Sequence, residues 1–317
     1  MRRSLPLLYS VVSALLALIT ALLSERAIMR VLDVDVRAME WISDVILAVA
    51  FGGVSFLWLH LRRARTELTR LERARVVVDT EIAIAADIQH GLLPPPPPPR
   101  DGWRFAARLE QAGPVGGDFY DFVDRGRSLL VLLADVSGKG IPAALVMASA
   151  RTLFRQIARN TERPDEVLAR MDSALWEEHG GAPYLTGVLA RLDLDSRVAS
   201  WVNAGHPAGL LVRGTDARAL AASGPPLGLL PGQRWETNEL ALVPGDALVL
   251  VSDGVTEALG SGGRVHERIA WTVAQRRRRG PQAICERVMR LAASGRGPVG
   301  AAGWTDDRTV VVVTIDE

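Results

Sequence analysis

The 317-residue sequence predicts an α+β fold: antiparallel sheets packed on one another, helices outside, carried behind two membrane-spanning helices and a helical linker. Three observations predict it. Two long aliphatic stretches stand near the N-terminus. Apolar residues then recur at heptad spacing until a run of prolines. Beyond the prolines, strand patterns come in runs and helical patterns in pairs, rather than in strict alternation.

The first aliphatic stretch, Ser4 to Ser24, is uncharged and has about the 20 residues a bilayer crossing needs. The second, Trp41 to Leu61, is broken only by Asp44. Arg2 and Arg3 precede the first; Arg62, Arg63 and Arg65 follow the second. The positive-inside rule then predicts a retained hairpin over residues 1–61, multi-pass in the cell membrane, with both termini cytoplasmic. A signal peptide is the competing reading, but no small-x-small cleavage site follows the first stretch.

From Leu61 the residues Ala64, Leu68, Leu71, Arg75, Val78, Ile82, Ala85, Gln89 and Leu92 step by threes and fours. That pattern predicts a helical linker over 62–93, either lying on its own domain or pairing with a second copy as a coiled coil and so making a homodimer. Arg75 and Gln89 are polar intrusions in the seam. Pro94 to Pro99 lack amide donors and must end the helix by Leu93, so 94–101 is read as a boundary.

From Trp103 the strands are "WRFAARLE", "GDFYDFVD", "SLLVLLADV", "YLTGVLARLDL", "RVASWVNAG", "GLLVR", "DALVLVSDG" and "DDRTVVVVTID". Helices are expected at Ile141 to Ala158, opened by Pro142, and over "PDEVLARMDSALWEE". Two more are expected around Glu267 to Arg279 and Pro281 to Ala293. The domain is taken as 102–317.

Composition narrows the chemistry. Lysine plus arginine number 37 and aspartate plus glutamate 36, so nucleic acid is not the indicated partner. Cys285 is the single cysteine, on an apolar helical stripe, which excludes an internal disulfide and a cysteine-rich metal site. Lys139, in "SGKG", is the sole lysine in an arginine-rich chain.

Asp118 stands in a glycine turn, Asp135 and Asp253 end hydrophobic strands, and Asp306 and Asp307 begin one. Each alone is an ordinary turn residue. If the sheets stack, these termini converge, and gathered carboxylates need cations to stay ionised. An all-oxygen donor set suits Mg²⁺ or Mn²⁺. Two such ions could activate a water for in-line attack on phosphorus.

Taken together, "PVGGDFYDF", "ADVSGKGIPAAL", "VNAGHPAGLLV", "GPPLGLL", "LVSDGVTEA" and "WTDDRTVVVV" resemble the metal-dependent type 2C (PPM) serine/threonine protein phosphatases, in particular their SpoIIE/RsbU branch. "IAADIQHGLLP" resembles the linker that precedes such domains. The resemblance implies an αββα sandwich with a dinuclear Mn²⁺/Mg²⁺ site and room for a third, weakly bound ion. It implies Asp118 as the bridging carboxylate, with Asp135, the Val136 carbonyl, Asp253 and one of Asp306 and Asp307 as further ligands. Asp306 takes the first place of the family's Asp-x-x-Thr pattern, which leaves Asp307 to orient a water. Gly117 and Gly138 would let backbone and phosphate approach. Apart from the resemblance, Lys139 reads as a residue that offsets negative charge near the metals or contacts phosphate or a partner, or as a simple surface residue. The implied substrate is a phosphorylated, STAS-like anti-sigma-factor antagonist.

Two other readings stand beside this one. A scaffold of the same fold could bind the same partner without turnover. A sensor kinase could use His90 as phosphoacceptor, although no ATP-binding arrangement follows it. Asn203 and His206 in "NAGHP" read as turn-fixing residues, and Arg276 to Arg279 as a solvated helix end with anionic lipid as runner-up.

Overall fold

The structure, a computed structural model, describes residues 13, 17, 19–24, 27, 28, 37–260, 264–294 and 306–316. Its contacts divide the chain into two units, Met1–Thr80 and Glu81–Glu317. Most of the first predicted span, and the loop after it, lie outside the described residues. The second span is found inside helix α1 (Arg37–Leu92). Among the described residues this is the one helix long and apolar enough to cross a membrane. It runs without interruption into the predicted linker and stops one residue before Leu93, where the prolines withdraw the amide donors a helix needs.

The linker seam is used unevenly. Leu68, Leu71 and Val78 are exposed. In the second unit Ile82, Ala85 and Leu92 are half-covered and Gln89 is buried. There part of the stripe is covered within the second unit.

That domain is an αββα sandwich. One sheet has the order β1 (Trp103–Glu110), β10 (Arg308–Ile315), β9 (Ala247–Val251), β6 (Gly209–Arg213), β7 (Asp216–Leu220). The other runs β2 (Phe119–Asp124), β3 (Ser128–Val136), β4 (Leu185–Asp193), β5 (Val198–Ala204), β8 (Asn238–Ala241). Every pairing is antiparallel.

Alternation along the strands builds three apolar layers. Tyr120, Phe122, Val131 and Leu133 meet Leu248, Leu250, Val311 and Val313 between the sheets. The opposite faces of β2 and β3, with Phe119, Leu130 and Leu132, receive α2 (Ile141–Ala158) and α3 (Pro164–His179) through Met147, Phe154, Leu168 and Met171. Val249, Val310 and Val312 on the other sheet receive α4 (Asp253–Leu259), α5 (Arg264–Arg276) and α6 (Pro281–Ala293). Trp103, at the start of β1, is fully buried and donates its indole N–H to the Leu194 carbonyl, 3.2 Å away beyond the end of β4.

Four elements differ from expectation. β9 ends at Val251 instead of continuing through Gly254. The amides of Val255 and Thr256 turn back onto the Ser252 carbonyl, at 3.2 and 3.3 Å, so Asp253 opens the short helix α4. Helix α5 starts at Arg264 and ends at Arg276; Arg277–Arg279 tighten into a 3₁₀ turn closed by Gly280 at φ 82°. Strands β7 and β8 carried no readable pattern, because β7 exposes four of its five residues and β8 has only four.

Cys285 packs under β10 with its thiol against the Val310 carbonyl. Burial pushes that thiol up to about 12, which removes it from thiolate chemistry.

Candidate metal centre

The strand ends bring the predicted residues to one end of the sandwich. Phe119 pairs with Ala134, which sets the turn carrying Asp118 beside the C-terminal end of β3 and its Asp135. Val251 pairs with Val310, which sets Ser252 and Asp253 beside Asp306 and Asp307. Antiparallel register therefore gathers into one region acidic side chains that are up to 189 positions apart, the separation of Asp118 and Asp307.

Close backbone approach makes the gathering possible. A Cβ on Gly116 would lie 1.7 Å from Asp307 Oδ2; one on Gly117 would lie 2.7 Å from the Val136 carbonyl oxygen and 3.0 Å from Asp135 Oδ1. No other residue fits either position without moving an acidic side chain or the chain behind it.

Each acidic group has a distinct setting. Asp118 is buried, and its Oδ2 accepts the Thr309 hydroxyl at 2.5 Å. Asp307 accepts the amide of Ala112 at 2.8 Å and that of Asp118 at 3.5 Å. Asp306 accepts its own neighbour's amide on Oδ1, 3.0 Å from Asp307 N, and the Lys139 ammonium on Oδ2 at 2.7 Å. Ser252 braces the same turn: its hydroxyl donates to the Asp307 carbonyl at 3.2 Å and accepts the Thr309 amide at 2.9 Å.

Electrostatics show a cluster short of positive charge. Burial, then the Asp135 charge, raises Asp118 well above the ordinary carboxylate range, against the hydrogen bond from Thr309. Burial, with Asp253, Asp306 and Asp307 adding, lifts Asp135 to about 7. Asp253 is raised by burial and then by Asp306, and Asp307 is raised by burial against three main-chain amides. Lys139 is raised in turn, first through its hydrogen bond to Asp306. Among the described residues the Lys139 ammonium bonds Asp306 and acts on Asp253 and Asp307, and protons hold part of the charge that a cation would.

This is the setting a hard divalent ion fits: oxygen donors, buried, under-compensated, with a main-chain carbonyl at Val136 beside them. Among the described residues, no three His, Cys, Asp or Glu side chains are drawn into one closed coordination group. The carboxylates act on one another through space, Asp118 and Asp135 also directly, and Thr309 donates to Asp118.

Two contributors were hidden in the sequence. Thr309 appeared only as the last letter of the Asp-x-x-Thr pattern, and its bond to Asp118 gives that letter a physical reason. Gln89 appeared as a flaw in a heptad seam. It is 4% exposed, donates from Nε2 to the Gly116 carbonyl at 2.6 Å and accepts the Gly116 amide on Oε1 at 3.1 Å. The last turn of α1 thereby grips the glycine on which the Asp307 carboxylate rests.

The other singled-out residues fall elsewhere. His90 is exposed, with Nδ1 2.9 Å from the Ala86 carbonyl on its own helix. Asn203 bonds the main chain of His206 in both directions, at 2.8 and 3.0 Å, as a turn-fixing residue does. The His206 ring is buried against the Thr186 hydroxyl at 2.9 Å, and burial lowers it to about 3, so it stays neutral.

Comparison with known proteins agrees with this architecture. Residues 125–316 match the family described as Stage II sporulation protein E (SpoIIE). Phosphoserine phosphatase RsbU of Bacillus subtilis (strain 168) is 30% identical over 188 residues, which is 59% of this chain and 56% of that protein. The chain thus spans little more than half the length of that relative. The PP2C phosphatase domain of the cell fate determinant SpoIIE from Bacillus subtilis, solved with a fragment of its regulatory domain, superposes at TM-score 0.59. It is 24% identical, over 67% of this chain and 63% of that one. The catalytic domain of the serine threonine protein phosphatase PstP, in complex with two manganese ions, superposes at TM-score 0.50. It is 18% identical, over 68% of this chain and 99% of that one.

Proposed function

The chain belongs to the SpoIIE family, and on that premise we propose that it is a membrane-anchored, metal-dependent protein phosphatase. Its substrate would be phosphoserine or phosphothreonine on a partner protein, an anti-sigma-factor antagonist in a partner-switching pathway. The observation that carries the reading is the buried, under-compensated set of carboxyl groups where both sheets end.

Two bound Mn²⁺ or Mg²⁺ ions would neutralise this set and supply Lewis acidity toward a phosphate ester and water. Asp118, Asp135, Asp253, Asp306 and the Val136 carbonyl would hold them. Asp306 suits direct ligation better than Asp307, whose two oxygens already accept main-chain amides. Asp307 would act by orienting Asp118 and the turn that carries it. Thr309 fixes the Asp118 carboxylate by its hydroxyl, so that its oxygens meet an ion in one orientation. Gly117 and Gly138 leave room for a phosphoester to reach the main chain.

Membrane attachment is supported by the apolar part of α1, followed by Arg62, Arg63 and Arg65 on the side that would face the cytoplasm. A homodimer is supported by the exposed seam residues Leu68, Leu71 and Val78, which a second copy would cover. The second reading is a catalytically weak or inactive scaffold of the same fold that binds the same partner without turnover.

Hydrolysis of p-nitrophenyl phosphate and of a phosphorylated antagonist by the full chain separates them. Turnover that needs Mn²⁺ and stops with a chelator is expected. No turnover of either substrate at saturating Mn²⁺ would leave the scaffold.

A further inference from the structure

We propose that Lys139 is a built-in counter-ion that competes with a divalent ion for Asp306 and, once displaced, holds the substrate's phosphate. The inference rests on the metal-dependent reading above.

Both oxygens of Asp306 already have donors: the Asp307 amide at 3.0 Å and the Lys139 ammonium at 2.7 Å. An ion that ligates Asp306 must take one of those places. The amide belongs to a turn braced by Ser252 and by the start of β10. The ammonium rides on a flexible four-carbon arm whose side chain is 63% exposed, while that of Asp306 is 32% exposed. Lys139 is therefore the partner that yields.

Its loop keeps it in place after it yields. Gly138 at φ 102° and Gly140 at φ 73° bend the main chain on either side, directly after Asp135 and Val136 and directly before α2. The arm stays at the mouth of the cluster, where a phosphate dianion would enter. A compact ammonium can exchange between a carboxylate and a phosphate oxygen as a point charge, whereas a guanidinium is built for a fixed, planar fork. The chain has arginine at every other Lys/Arg position and lysine here alone.

The two roles have opposite signs, and that makes them testable. Removing the ammonium takes a competitor from the ion and a ligand from the phosphate. Calorimetric titration of Mn²⁺ into the full chain in detergent, comparing wild type, Lys139→Met and Lys139→Arg, reads the first role. Lys139→Met should bind Mn²⁺ about fivefold to tenfold tighter, the range expected for one removed charge near a protein surface. Lys139→Arg, which keeps the charge, should stay near wild type. Titration of inorganic phosphate into the Mn²⁺-saturated chain reads the second role, and Lys139→Met should bind it about tenfold more weakly.

Manganese affinity that is unchanged or weaker in Lys139→Met overturns the counter-ion role. Unchanged phosphate affinity overturns the phosphate role. Wild type that takes up no manganese overturns the metal-dependent reading itself, and this inference with it. Uptake by wild type with no change in the variants sinks the inference alone.

Discussion

Asp118 and Asp121 stand in one short segment, "GGDFYDF", and both are buried, yet their surroundings differ in kind. Asp121 is fully covered on β2 and faces Arg151 at 3.0 Å and Arg155 at 3.3 Å, both from α2. The Arg151 contact is a close ion pair without an aligned hydrogen bond; Asp121 Oδ1 accepts the Phe122 amide at 2.7 Å. Asp118 faces Asp135 and Asp307, with the Thr309 and Ser252 hydroxyls but no arginine among the groups that shift it. A buried charge that finds its counter-charge within the protein ties a strand to a helix. One that finds only more of its own sign is left for something from outside. The comparison thus separates an aspartate neutralised from within the protein from one, three residues away, that the proposed metal site would use.

The largest expected effect falls on Asp118. Asp118→Asn should cut Mn²⁺-dependent turnover by about a thousandfold or more, because the proposed metal site would lose one of its carboxylates. In the metal-free protein the same change should leave the melting temperature unchanged or raise it, since it removes a repelled buried carboxyl. A clear fall in that melting temperature would break the contrast drawn here.

Asp121→Ala should do the reverse. It strands Arg151, whose side chain is 9% exposed. The expected loss is about 3–5 kcal/mol of folding stability in denaturant titration. Mn²⁺ affinity of the protein that remains folded should hold near wild type. A selective loss of Mn²⁺ binding would place Asp121 with the other group.

The pH dependence of the metal-free chain sharpens the same point. Asp135 moves from an ordinary 3.8 to about 7 in the folded state. Between those values the unfolded chain releases the proton while the folded chain keeps it, so rising pH favours unfolding. This contribution to stability is fully present below 3.8 and lost as pH passes about 7. Thermal melts should therefore show the apo protein losing stability from pH 5 toward pH 8, and added Mn²⁺ should stabilise more at pH 8 than at pH 6. An apo protein that gains stability from pH 5 to pH 8 would contradict the assignment.

Thr309→Val gives the smallest effect. It removes the hydroxyl that Asp118 accepts at 2.5 Å, a hydrogen bond to a charged group worth about 1.5–3 kcal/mol. Mn²⁺ affinity should drop about tenfold, with the fold intact by circular dichroism. Full retention of affinity would mean that Thr309 only fills space.

Much of this was legible in one dimension because the signals were local. The β3 run "SLLVLLADV" and the β10 run "TVVVV" are buried on both faces, and unbroken apolar stretches of that length have few other uses. Pro142 and Pro164 marked helix starts that the structure keeps. The carboxylates were visible because each sits at the edge of such a run. What escaped notice was either short and polar, as β7 and β8 are, or dependent on a partner far along the chain. Gln89 spoiled a heptad, and nothing nearby in sequence announced Gly116. Thr309 and Ser252 are unremarkable until β9 and β10 are paired.

The sequence by itself determined the strands and helices that pack as sheets with helices outside, the helix that ends at the prolines, and the acidic residues at strand termini. Hydrophobic period, proline chemistry and glycine placement act within a few residues and need no knowledge of the whole. Only the tertiary structure decided which aspartates are neutralised from within and which are not. That depends on whether an arginine arrives from a helix packed on the far side of a strand, and such an encounter is set by how sheets and helices stack rather than by any local pattern.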